Sequence, residues 1–456
     1  MIAFAHTSAR WLVRLEIVLL VLIYIFFVFT DQVPLVVFGL IALIWLARWW
    51  STGRLTHTTL FDSPILLLLT CVPLSFSVTI DAAQSLPKVY GIVLGVAFFY
   101  AIVNAVMTRR DLAWATLWLV IVCAAIALAG LVGTDWAQGK IISVSFIYDH
   151  LPRFIQAIPR SIAGGFARNG VGGTLAFVIP LLAALVFAAR RPDLQKAGEN
   201  VPWLIPAGVI ALVLALVTLA LTQSRGGIFG TVAGLLVVAG WRERRLVWGI
   251  GAGALGLIVL IALGYGNALM GFVLQMDAGH ATLASRLEVW QRGLMMVRDF
   301  PYTGIGIGTY NSIAHLLYPF FIAAPDEVVP HAHNQFLEVA VDLGIPGLIA
   351  YVALLTAFGI SAARVYRANQ DANVRALVVG LVAGMFAHHV FGLTDAFILG
   401  TKPGIVMWVF FAFVAATSPR FGDRQKDDAK VQRGKGAEEN APSLPRSSPP
   451  LPSGDK

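Results

Sequence analysis

The chain has 456 residues, 58% of them hydrophobic and only 13% charged, with a mean hydropathy of +0.77. A soluble domain carries about 25% charged residues, so a water-soluble fold is excluded. The formal net charge of +8 does not mark a nucleic-acid binder, because the basic residues are scattered through short segments between apolar runs.

A spanning helix needs about 20 mostly apolar residues. Runs of that kind fall at roughly 12–29, 33–50, 62–80, 89–107, 112–133, 171–189, 203–222, 227–241, 246–266, 347–364, 375–393 and 403–418. Backbone polar groups must be paired in lipid and no alternating barrel pattern is present, so the runs predict helices. The fold class is therefore an all-α integral membrane protein of about twelve transmembrane helices, with short amphipathic helices in a long outward loop. The first run is long enough to span and has no small-residue cleavage site after it, so no signal peptide is expected. Cys71 and Cys123 both lie inside apolar runs and imply neither a disulfide framework nor a metal site.

Lysine and arginine in the short loops set orientation. One set of loops is rich in arginine: Arg10 and Arg14, Arg48 and Arg54, Arg109 and Arg110, Arg190 and Arg191, Arg242 with Arg244 and Arg245, and Arg364, Arg367 and Arg375. The other set is nearly bare, with Lys88 and Lys402. Both termini are accordingly expected in the cytoplasm, and the long loops 134–170 and 267–334 outside. Residues 1–418 form the membrane domain. The segment 419–456, rich in Pro, Ser, Gly and charge, is expected to be a disordered cytoplasmic tail.

In the second outward loop, Ser285 and Glu288 fit a capping box. Leu287, Trp290, Leu294 and Val297 recur behind it at helical spacing, predicting an amphipathic helix over about 286–299 that lies on the membrane face or covers a cavity. Pro301 and the run Gly304-Ile305-Gly306-Ile307-Gly308 then predict a turn, since no strand precedes them to make a phosphate cradle.

Several outward residues suit chemistry on a phosphorylated lipid. Arg225 lies in Gln223-Ser224-Arg225-Gly226-Gly227, where one apolar run stops and the next starts. A charge so near hydrocarbon needs a partner or a snorkelling route. Arg286 would open the amphipathic helix, where helix N–H groups and a guanidinium both favour an anion; the plainer reading is an interfacial arginine meeting headgroups. His333, two residues after His331 and just before Asn334, titrates near neutrality and suits a general base; an inert loop histidine is the alternative. A His331/His333 metal site would need a third ligand, for which Asp326 and Glu327 are the nearest residues, and no metal or cofactor is called for. Arg168, in Ala167-Arg168-Asn169-Gly170, is a further outward arginine. His388 and His389, near the outer end of the eleventh run, either line the same cavity or pair with backbone, and the second is favoured. No Asp-x-Asp or P-loop is present, and the scarcity of ionisable residues in the spans from 62 to 266 argues against an ion-coupled transporter.

These pieces together resemble the O-antigen ligase and polymerase superfamily of membrane glycosyltransferases. The matching segments are Leu221-Thr-Gln-Ser-Arg225-Gly-Gly, Ser285-Arg286-Leu-Glu-Val-Trp290, Asp299-Phe-Pro301-Tyr-Thr-Gly304-Ile-Gly306, His333-Asn334-Gln-Phe-Leu337-Glu338 and Gly344-Ile-Pro-Gly347. The resemblance covers about 220–350 and implies transfer of O-antigen from undecaprenyl pyrophosphate to lipid A–core oligosaccharide on the periplasmic side of the inner membrane. It further implies metal-independent, inverting transfer, with His333 as base and Arg225 and Arg286 on the pyrophosphate. Arg168, His331, Asn334 and Glu338 are expected to support them. An O-antigen polymerase and a transporter of a lipid-linked sugar are the alternatives.

Overall fold

In a computed structural model the residues described are 2–30, 35–134, 136, 166–189, 203–243, part of 245–265, 283–322, 328–397 and 399–418. The described residues form helices and no strand; a single bridge pairs Thr134 with Phe166. The helices are α1 (Ile2–Thr30), α2 (Leu35–Thr52), α3 (Asp62–Ser77), α4 (Ala82–Ala105), α5 (Arg109–Gly133), α6 (Arg168–Ala189), α7 (Leu204–Thr222), α8 (Arg225–Arg242), α9 (Leu283–Asp299), α10 (Tyr310–Leu317), α11 (Gln335–Ala368), α12 (Ala372–Phe391) and α13 (Gly404–Thr417). A short π-turn spans Ile261–Tyr265.

Six of these, α4, α5, α6, α7, α11 and α12, are long and apolar enough to cross a membrane. The apolar parts of α1, α2, α3 and α13 are shorter. The sequence runs mostly coincide with helices, but about half of the ninth, 246–266, falls outside the described residues, as do most of 134–170 and all of 419–456.

The most deeply buried spanning helix is α6, packed against α7, α8 and α12. Small residues let these helices approach. A Cβ on Gly230 of α8 would stand 2.4 Å from the Ala387 carbonyl oxygen of α12, and one on Gly234 would stand 2.7 Å from that of Ala383. Gly226, Gly230 and Gly234 thus repeat every fourth residue along one face. Close contact of this kind replaces the hydrophobic drive that lipid does not supply. Toward the other end of these helices, Arg109 pairs with Asp371 at 3.3 Å, and Arg242 donates to the Phe187 carbonyl at 3.2 Å. These contacts gather several of the basic loops at one end of the bundle.

Two expectations are corrected. α11 does not begin near 347 but at Gln335, one turn after the histidines, because Asn334 caps it by accepting the N–H groups of Phe336 and Leu337 at 3.1 Å each. Gly344 bends the helix at φ 71 and ψ −177, and Pro346 continues beyond the bend instead of ending it. Ser285 is also not the N-cap of its helix. α9 starts earlier, at Leu283, and the Glu288 carboxylate is drawn away from the helix start to accept the N–H groups of Phe321 and Ile322 at 2.6 and 2.8 Å. The glycine run is a turn as expected: Gly304, Gly306 and Gly308 all take positive φ, and it is stitched to the α11 bend by Ile305 N–H to Val341 O and Ile345 N–H to Pro301 O.

Candidate active site

At the end of the bundle opposite the basic loops, four elements meet. They are the start of α11, the segment 392–397 after α12, and the starts of α6 and α8. Gln335 fastens the first two. Its backbone N–H donates to Gly392 O at 2.7 Å, its side-chain amide donates to Phe397 O at 2.9 Å, and it accepts the Phe397 N–H at 2.8 Å. Asn334 adds a bond from Nδ2 to Leu393 O at 3.4 Å. Together these bonds hold Asp395 against the histidine segment.

Asp395 is buried, at 8% exposure, and was not singled out from the sequence. Its Oδ1 lies 3.4 Å from His331 Nε2 and 3.4 Å from His333 Nδ1, and accepts the Ala396 N–H at 3.0 Å. Burial would raise this carboxyl, but His333, His331 and the Ala396 N–H outweigh it and hold the group below the usual carboxylate range. Asp395 is therefore ionised at neutral pH.

His331 is neutral at neutral pH. Burial drives it down to about 4 against the pull of Asp395, with repulsion from His333 and Arg286 adding to the fall. Its Nδ1 accepts the His333 backbone N–H at 3.3 Å, so its own proton belongs on Nε2, facing Asp395. His333 sits at φ 50, a left-handed conformation uncommon outside glycine. The bond to His331, together with Trp290 Nε1 donating to His333 O at 3.3 Å, holds it there. Its Nδ1 is buried and within ion-pair reach of Asp395, though not aligned for a hydrogen bond. A proton on Nδ1 facing that carboxylate leaves the Nε2 lone pair for a substrate.

Glu338, one turn into α11, is fully buried and accepts the Ala332 N–H at 2.5 Å, supporting the backbone between the two histidines. Arg286 approaches from α9, near enough for its charge to act on His331. Its Nε is buried and has no hydrogen-bond partner among the described residues. Arg225 is the first residue of α8, after a two-residue turn in which Gln223 takes φ 49 and Ser224 caps the helix through Gly227 N–H. The next residue, Gly226, abuts segment 392–397: a Cβ there would stand 3.4 Å from Thr394 Oγ1. Arg168 opens α6, whose Gly172 lies under Ser224. The structure thus joins His331, His333, Asn334 and Glu338 in one contact network with Asp395 and brings the charge of Arg286 to it. It sets Arg225 and Arg168 at the same end of the bundle. His388 and His389 make no hydrogen bond to this network among the described residues, although the His388 ring stacks on Phe397 at 5.3 Å. His389 bonds Met385 O at 2.8 Å and Tyr351 at 2.9 Å, and His388 stacks on Phe177.

The donor atoms of His331, His333 and Asp395 lie within 4.8 Å of one another, a spacing that could hold a metal ion. Asp395, not Asp326, is the third member; Asp326 lies outside the described residues. The neighbouring guanidinium of Arg286 opposes a dication there, and the cluster suits an acid–base group better.

The family model described as O-antigen ligase matches residues 210–352, a segment that includes Arg225, Arg286, His331, His333, Asn334 and Glu338 and leaves out Arg168 and Asp395. The chain is 28% identical over 213 residues to the exopolysaccharide production protein ExoQ of Rhizobium meliloti (strain 1021), covering 43% of this chain and 46% of that protein. It is 26% identical over 164 residues to an uncharacterized protein of Haemophilus influenzae, covering 32% and 41%. The chain therefore matches under half the length of either relative.

Proposed function

We propose that this membrane protein transfers a glycan from undecaprenyl pyrophosphate to a sugar hydroxyl, with His333 as the general base, a reading supported by the match of residues 210–352 to the family model described as O-antigen ligase. The observation that carries the reading is Asp395 set 3.4 Å from His333 Nδ1, an arrangement that leaves Nε2 as the proton acceptor.

The step is a single displacement. The acceptor hydroxyl gives its proton to His333 Nε2 as its oxygen bonds to the anomeric carbon of the donor. The bond from that carbon to the pyrophosphate oxygen breaks with its electron pair, and the configuration inverts. Asp395 stabilises the imidazolium that forms. Arg286, with a buried donor to spare, and Arg225, at a helix N-terminus, take up the negative charge on the leaving pyrophosphate. Arg168, at the start of α6, is the supporting arginine in this reading. No metal is required, because the guanidinium groups supply the positive charge.

In its finer form the reading is a ligase: O-antigen is the glycan, lipid A–core oligosaccharide the acceptor, and the site faces the periplasm at the inner membrane, with both termini and the tail 419–456 in the cytoplasm. A second reading, a polymerase that extends a polysaccharide chain, is favoured by the relative named for exopolysaccharide production. Expression in one strain lacking O-antigen attachment and in another lacking chain extension separates the two. Capped lipopolysaccharide in the first supports the ligase. Restored chain length in the second, with the first left uncapped, refutes it.

A further inference from the structure

The segment around α10 presents large apolar side chains outward. Leu316 and Leu317 are exposed, as are Ile322 and Phe321, the last at 82%. Their neighbour Phe320 turns the other way, into a small core with Tyr310, Ile313 and Met296.

Two independent features indicate what covers this tip. The first is its level in the fold. Gln84, in the first turn of the spanning helix α4, donates to Ser312 Oγ of α10 at 3.4 Å, and Leu316 lies one turn beyond Ser312. The tip therefore stands beside the end of a helix apolar enough to cross the membrane. The second is its backbone. The N–H groups of Phe321 and Ile322 are held at 2.6 and 2.8 Å by the Glu288 carboxylate. Glu288 is itself buried and paired with Arg292 at 3.4 Å, and the Arg292 guanidinium lies 5.2 Å from the Phe321 ring. A loop that stays in water does not need a buried carboxylate to serve its N–H groups. A loop that enters hydrocarbon does, because nothing there replaces water as an acceptor.

We propose that the tip Leu316–Ile322 inserts into the acyl-chain boundary of the leaflet at the α4 N-terminal end, with lipid as its partner. The same Glu288 belongs to α9, and Tyr310 donates to Val289 O of α9 at 2.8 Å, so the inserted tip is rigidly tied to the helix that carries Arg286. Insertion then sets the height of Arg286 near the phosphates of membrane lipids. The inference needs the bundle to cross a membrane and is independent of the reaction run at His333.

The test uses the full chain with Cys71→Ala and Cys123→Ala, carrying Phe321→Cys or Ile322→Cys with a nitroxide label, in phosphatidylcholine–phosphatidylglycerol vesicles. Leu316→Cys replaces either variant that fails to fold. Power saturation compares collisions with oxygen and with a water-soluble nickel chelate, calibrated by lipids labelled at the headgroup and along the acyl chain. The expected result is oxygen-favoured collision, below phosphate level, at one or more of the labelled positions. Nickel-favoured collision at every folded position, equal to that of the headgroup label or greater, overturns the proposal.

Discussion

Asp395→Asn removes one charge and keeps the shape of the side chain. In the native site Asp395 Oδ1 lies 3.4 Å from His333 Nδ1. Two full charges at that distance interact by about 5 kcal/mol at an effective dielectric constant near 20. If roughly half a charge has developed on the imidazole in the transition state, the loss is about 2.4 kcal/mol, or roughly 60-fold in rate. In this reading Asp395 acts through His333, so the loss should fall on kcat and leave KM nearly unchanged. The assay is initial-rate transfer from a labelled undecaprenyl pyrophosphate oligosaccharide in proteoliposomes, with thermal unfolding to establish that the variant is folded. A kcat within about threefold of wild type, or a loss confined to KM, would refute the role given to Asp395.

Arg286→Ala should lower kcat by about 100- to 1,000-fold, the usual effect of deleting a group that stabilises developing negative charge. Arg286→Lys should recover only part, because it keeps the charge and loses the fork of donors; equal rates for the two variants in the same transfer assay count against pyrophosphate contact. Gly344→Ala tests the α11 bend: φ 71 with ψ −177 suits glycine alone, and a Cβ would stand 2.7 Å from Tyr302 O. It should destabilise the protein by about 1–3 kcal/mol from the backbone conformation alone, before the clash is added, seen as a lower midpoint in thermal unfolding.

Much of the site can be read in the chain because its local motifs coincide with local structure. Asn334 after His333 caps α11, Ser224 before Arg225 caps α8, and the glycine run 304–308 is the turn its composition predicts. Asp395 escapes such reading. It lies 62 positions after His333, in a different segment, and no spacing rule connects them; only Gln335 and its bonds to Phe397 bring them together. The available signal was a lone carboxylate among apolar residues between 376 and 418. Glu288 misleads for the opposite reason. It has the spacing of a local cap, but a more distant pair of N–H groups, at Phe321 and Ile322, competes for it and wins. The start of α11 was misplaced because hydropathy responds to the apolar stretch after Gly347, whereas the first turns carry Glu338 and Asp342, buried by contacts with other segments.

The most direct test is transfer by purified wild type and His333→Ala in the presence of EDTA. The account predicts that wild type keeps full activity in EDTA and that folded His333→Ala falls by about 100- to 10,000-fold. A His333→Ala enzyme as fast as wild type, or a wild type silenced by EDTA and restored by a divalent metal, would contradict it.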